Sequence, residues 1–270
     1  MTIFFHPSDT QKCVNPAQID NFALRYTYFL NSEKDRETGK YKFKLPEKIK
    51  LTKTDRELSE SIISRQESQL KSLRTVYDFR VIEAAADWRL IVGLGSGHVL
   101  ETGMTLHHIY GIPYIPGSAV KGVLHHWVKD KKNQAEDEDK HKFEDEVPIF
   151  GSEDNNEQKI RGNVIFMDAF PVGNVNFATD IMNPHYSEYY NGETCPADWQ
   201  TPVPVNFLTV EKTRFRFIFL SQNSAYLKKT ANWLKEIFER KGIGAKTSVG
   251  YGYFKERQDI TKKITENFQI

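Results

Sequence analysis

Gly242-Ile243-Gly244-Ala245-Lys246-Thr247-Ser248-Val249-Gly250-Tyr251-Gly252-Tyr253-Phe254 is the stretch on which the fold turns. Upstream, Leu227, Ala231, Leu234 and Phe238 recur at helical spacing and predict a helix over about 224–240, which Gly242 is placed to end. Downstream, 249–255 reads as a strand. Four glycines, a lysine and two hydroxyls therefore lie between a helix and a strand. Backbone N–H groups of such a loop can wrap a phosphate while Lys246 neutralises its charge; a plain tight connection is the alternative. The dinucleotide fingerprint has the opposite order, strand before glycines and helix after.

Working toward the N-terminus, 205–210 and 214–220 read as strands. Phe215, Phe217 and Phe219 alternate with Arg214 and Arg216, so one face is apolar and the other carries two guanidinium groups. A strand is expected over 162–171 and another over 88–93, running into a glycine-containing turn. Between them, Val120, Val123, Leu124, Trp127 and Val128 mark a helix, with Ser118 as its N-cap. The order strand, helix, strands, helix, strand predicts an α+β sandwich of the ferredoxin-like or RNA-recognition type, with helices on one sheet face.

The first third reads as a mostly helical extension, residues 1–86. It has a stripe from Ile19 to Leu30, a polar loop over 31–53 and a second helix over 55–74. The sheet domain is expected over 87–256, with insertions near 130–150 and 172–204, and 257–270 as a tail. The first insertion is charge-dense and reads as a mobile surface loop. The second reads as irregular chain carrying His185, Tyr186, Tyr189, Tyr190 and Trp199, rings able to stack on bases.

A second anion site is expected at the turn before the 120s helix. Gly117 permits close backbone approach, and Ser118 and Lys121 sit in the first helical turn, where N–H groups and the helix dipole favour a phosphate. The site is not a P-loop, because the Gly-Lys-Ser/Thr tripeptide is missing.

Composition narrows the classes. The formal net charge of +1 excludes a polycation that coats nucleic acid without specificity. Two cysteines, Cys13 and Cys195, have no metal or redox spacing and read as free thiols. No signal-peptide pattern and no apolar run of roughly 20 residues are visible, so a cytoplasmic location without membrane contact is expected. His107-His108 and His125-His126 are adjacent pairs whose rings diverge, so neither metal nor cofactor is expected.

The glycine-rich stretch resembles the C-terminal loop of the RAMP superfamily of CRISPR systems. Pro113-Tyr114-Ile115-Pro116-Gly117-Ser118-Ala119-Val120-Lys121-Gly122 resembles the superfamily's other hallmark, at the start of its first core helix. Residues 93–103 and 180–190 resemble the sixth-subunit family of Cmr-type (type III-B) effector complexes, and the likeness covers roughly 88–254. It implies a modified RNA-recognition fold and an RNA-binding, non-catalytic role in antiviral defence. The implied partners are CRISPR RNA, other Cmr-type RAMP subunits and target RNA, with this chain capping the filament near the 3′ end of the CRISPR RNA. Phosphate contacts are implied at Gly117, Ser118 and Lys121 and at Gly244, Ala245, Lys246, Thr247 and Ser248. Arg214, Arg216, His185 and Tyr186 complete the expected RNA-binding set.

Related backbone subunits cut target RNA with an aspartate before the Pro-Gly-Ser turn. This chain has only Glu101 there, so catalysis is not expected. Two rivals remain. One is a metal-independent endoribonuclease using His98, His107 or His108; the other is a purely protein-binding adaptor.

Overall fold

The structure, a computed structural model, describes residues 15, 18–30, 32–34, 39, 41–43, 49–95, 97–98, 102–152, 160–183, 192, 195, 199 and 204–268. In chain order the elements are α1 (Phe22–Tyr28), β1 (Ser32–Lys34), β2 (Tyr41–Phe43), α2 (Lys53–Leu73), β3 (Asp78–Ala86) and β4 (Arg89–Leu90). Then come α3 (Gly117–Gln134), a 3-10 turn (Asp137–Phe143), α4 (Glu146–Phe150), β5 (Ile165–Phe166), β6 (Phe170–Val172) and β7 (Asn176–Met182). The chain continues as β8 (Val205–Glu211), β9 (Arg214–Ser221), α5 (Ser224–Arg240), a 3-10 turn (Thr247–Val249), β10 (Phe254–Asp259) and α6 (Thr261–Asn267).

Among the described residues the central sheet runs β10-β3-β9-β5, with β6 also on β9, and every pairing is antiparallel. Strand β9 sets its centre because alternate side chains serve two cores. Phe215, Phe217 and Phe219 join Ile82, Ala84 and Ala86 beneath α3 and α5, where Val120, Leu124, Leu234, Ile237 and Phe238 are buried. Burying each such ring contributes about 1.5–3 kcal/mol. On the opposite face Val81, Ile218 and Leu220 pack on Leu70 of α2, on Ile264 of α6 and on Phe268 just after it. Helices therefore cover both faces, where one was expected: the second face is also apolar at Ile218 and Leu220 and needs cover. No helix among the described residues is long and apolar enough to cross a membrane.

Several local expectations change. β3 falls inside the stretch read as helical. Its alanine-rich Asp78–Ala86 is drawn into the sheet by pairing with β9 on one edge and β10 on the other. The loop expected over 31–53 contains the β1–β2 hairpin. The charge-dense insertion folds in part: α4 buries Ile149 and Phe150, and its Glu146 carboxylate pairs with His125 and Lys132. The strand expected over 162–171 splits into β5 and β6 around Met167, Asp168 and Ala169. The irregular stretch 172–204 begins with β7, which pairs with β8 from Asn176↔Glu211 to Met182↔Val205. Of 88–93, only Arg89–Leu90 forms a strand, and the last strand starts at Phe254.

Candidate nucleic-acid interface

The glycine-rich loop is held by its own neighbours before it holds anything else. Ala245 N–H donates to the Ile91 carbonyl at 2.8 Å, Gly252 N–H to Arg89 at 2.8 Å, and Ile243 N–H to Gly252 at 2.8 Å. This close approach requires glycine. A Cβ on Gly244 (φ +101) would lie 2.3 Å from the Ile91 oxygen. Lys246 adopts the left-handed conformation and opens the 3-10 turn, whose following N–H groups return to Lys246 and Thr247. Among the described residues, no acceptor meets the N–H groups of Lys246, Thr247 and Ser248. The Lys246 ammonium has no acidic partner there either; it lies 5.6 Å from the centre of the buried Phe207 ring.

Asp180 of β7 fastens this loop to the β7–β8 hairpin, accepting hydrogen bonds from the Arg89 guanidinium and the Tyr251 hydroxyl. Burial alone would raise the Asp180 carboxyl. The bonds from Tyr251, the Ile181 amide and Arg89 outweigh it and hold the group below the usual carboxylate range. Trp88, partly exposed, lies 5.0 Å from the Tyr251 ring and carries the Arg89 guanidinium over its face. Asp180 as an anchor was not foreseen, since nothing in the sequence pairs it with residues 71 and 91 positions away.

At the second turn, Ser118 does not cap α3. Pro116 stands at the N-cap position and Gly117 begins the helix, so Ser118 falls one residue inside. The cap comes from the link between β5 and β6: the Asp168 carboxylate accepts the Gly117 N–H at 2.8 Å. Gly117 is buried, and a Cβ there would sit 2.2 Å from the Phe166 oxygen. Its N–H is thus already engaged. Ser118 is exposed, and Lys121, on the same helical face, has no acidic partner among the described residues.

One backbone relay ties the two turns together. Ile91 takes the Ala245 N–H, and Val92 takes the Thr105 N–H at 2.7 Å. Leu106 bridges Pro113, Ile115 bridges Ala169, and Asp168 holds Gly117.

Arg214 and Arg216 are both paired with carboxylates. Arg216 is buried between Glu83 (2.9 Å) and Glu67 (2.7 Å), because α2 covers that sheet face. Arg214 pairs with Glu256 at 2.8 Å. His185 and Tyr186, with Glu101, Tyr189 and Tyr190, lie outside the described residues. Trp199 is 88% exposed.

The histidines are engaged locally. His107 Nδ1 accepts the Ile109 and Tyr110 N–H groups at 3.3 Å each, which puts its proton on Nε2. Burial, then the neighbouring His108, lower its pKa against the opposing pull of Asp168. His98 stacks on Tyr26 at 4.6 Å and its pKa is lowered by burial. Among the described residues no three His, Cys, Asp or Glu side chains are grouped to hold a metal.

Comparisons with known proteins agree with this architecture. The RAMP superfamily model matches residues 89–255. The chain is 30% identical to the CRISPR system Cmr subunit Cmr6 of Pyrococcus furiosus, over 91% of this chain and 85% of that protein. It is 29% identical to the Cmr6 subunit of Saccharolobus solfataricus, over 68% of this chain and 60% of that one. A chain of the type III-B Cmr-beta complex, solved by cryo-electron microscopy with cognate target RNA, superposes with a TM-score of 0.59 at 27% identity. That match covers 78% of this chain and 68% of the other. On these matches the chain belongs to the RAMP superfamily, within the family of Cmr6 subunits.

Proposed function

We propose that this chain is a non-catalytic RNA-binding subunit of a type III-B CRISPR effector, capping the RAMP filament near the 3′ end of the CRISPR RNA. The observation that carries the reading is a pair of lysines at two linked turns. Lys121 and Lys246 have no acidic partner among the described residues; Lys246 stands beside the open N–H groups of its own turn, and Lys121 beside that of Ser118, the Gly117, Ala119 and Val120 N–H groups being already bonded. Such a pairing of ammonium and amide grips a sugar–phosphate track without reading sequence, which base pairing supplies. The likeness to a Cmr-beta chain from a complex bound to target RNA supports other Cmr subunits and target RNA as partners.

Labelled repeat RNA is expected to stay intact with the purified chain; metal-independent cutting lost in His107→Ala would make the chain an endoribonuclease instead. The binding reading is tested with Lys121→Ala plus Lys246→Ala. If each lysine neutralises one phosphate, the slope of log affinity against log salt becomes shallower by about 1.4. Unaltered RNA retention and an unaltered slope would leave only a protein-binding adaptor.

A further inference from the structure

A cleft of about 380 Å³ opens between α2 and the β5–β6 strands, lined by Arg65, Gln66, Gln69, His107, Tyr110 and Asp168. That volume lies near the lower end of ligand-sized clefts, about 300–1,000 Å³. Gln66 is 4% exposed, and its amide is oriented by one bond, from Nε2 to the Asp168 backbone oxygen at 3.2 Å. That bond leaves Oε1 a buried acceptor without a donor among the described residues. Such an atom carries an uncompensated desolvation cost, which an N–H entering the cleft would offset once the Gln66 side chain turned that oxygen toward it.

The rest of the lining fits a planar, donor-bearing guest. Tyr110 stacks on His107 at 4.4 Å, and Phe170 lies within 6.0 Å of both rings. Arg65 donates to the Tyr110 hydroxyl at 3.1 Å, so a cation stands at the aromatic wall. Asp168 spends one carboxylate oxygen on Gly117, and among the described residues its other oxygen accepts no hydrogen bond. Through that same bond the cleft adjoins the Pro-Gly-Ser turn.

We propose that this cleft receives one unstacked RNA base carrying an exocyclic amine, which donates to Gln66 Oε1. The proposal rests on the phosphate-track reading above and deepens it: the strand is gripped at the turn while one nucleotide leaves the stack and turns inward. Uracil fits poorly, since its single N–H is flanked by two carbonyl oxygens that would face the Gln66 and Asp168 acceptors. Cytosine is of similar size and offers the amine.

Fluorescence anisotropy of the full chain with labelled oligo(C) and oligo(U) of equal length tests this. Oligo(C) is expected to bind about 5–10-fold tighter, the scale of one neutral hydrogen bond. Gln66→Leu, close in volume and free of the orphaned acceptor, should bring the two within about twofold; it also gives up the Nε2 bond to the Asp168 oxygen, so a small drop in melting temperature is expected and the oligo(C)/oligo(U) ratio is the deciding readout. Lys121→Ala plus Lys246→Ala should weaken both oligonucleotides and preserve their ratio. A lysine pair without effect, beside an intact ratio, would remove the phosphate track and keep the base cleft. Equal wild-type affinities, no binding to either oligonucleotide, or a ratio unmoved by Gln66→Leu overturns the cleft whatever the lysines do. If Gln66→Leu disturbs only assembly with other subunits, the guest is a protein side chain and the proposal falls.

Discussion

Gly244 shows how little latitude the glycine-rich loop has. At φ +101, with the Ile91 oxygen 2.3 Å from any added Cβ, Gly244→Ala is strained twice over. A left-handed backbone alone costs roughly 1–3 kcal/mol for other residues. Gly244→Ala should lower the unfolding free energy by about 1–3 kcal/mol, seen as a lower denaturation midpoint, and weaken RNA retention with it. A wild-type midpoint would mean that the loop does not need its packing on 89–91. His98 and His107 make the second residue-scale case. Both imidazoles lie below the ordinary value of 6.5 through burial. The unfolded chain therefore binds protons that the folded chain refuses. Stability is complete above about pH 6.5 and falls as pH drops through the lowered folded pKa values. Melting temperatures between about pH 7 and pH 5 should trace this decline, with a shallower slope in His107→Gln. A flat profile would contradict the burial of these rings.

Strand β9 is the element where pattern and environment part company. Its alternation is plain in the sequence, and the apolar half lies against α3 and α5 as the pattern requires. Of the guanidinium half, Arg216 does not face solvent. Arg216 reaches Glu83, 133 positions away, and Glu67, 149 positions away. Removing one partner of a buried ion pair strands the other charge, so Arg216→Ala should cost about 3–5 kcal/mol in urea unfolding. Arg214→Ala removes a contact to an exposed glutamate and should cost under about 1 kcal/mol. Equal effects would refute the buried network. The helices were more legible. α5 occupies Ser224–Arg240 as its periodicity predicts, and α2 begins at Lys53 behind a Thr52–Asp55 capping box. Capping, periodicity and glycine stops are local signals, acting within a turn or two of the chain.

For the whole molecule, the β7–β8 hairpin joins the glycine-rich loop to the segment 184–203. Its two strands pair over seven positions and carry Asp180, which fastens the glycine-rich loop. Replacing 184–203 with a short Asn-Gly turn keeps the paired strands and their Asp180 anchor. Association with adjoining Cmr subunits or target RNA should weaken. Unchanged association, measured by co-purification, would remove this segment from the interface.

By itself the sequence determined the two hallmark turns, the long helices and the α+β class, because each is written in residues close along the chain. Tertiary structure alone decided that the alanine-rich Asp78–Ala86 is a central strand, that Arg216 is internal, and that Asp168 caps α3. It also decided that Gln66 borders a cleft with an unmet acceptor. Strand pairing, buried ion pairs and cavities are set by partners dozens to more than a hundred residues away. The free energy of those contacts overrides local propensity, and no local pattern records it.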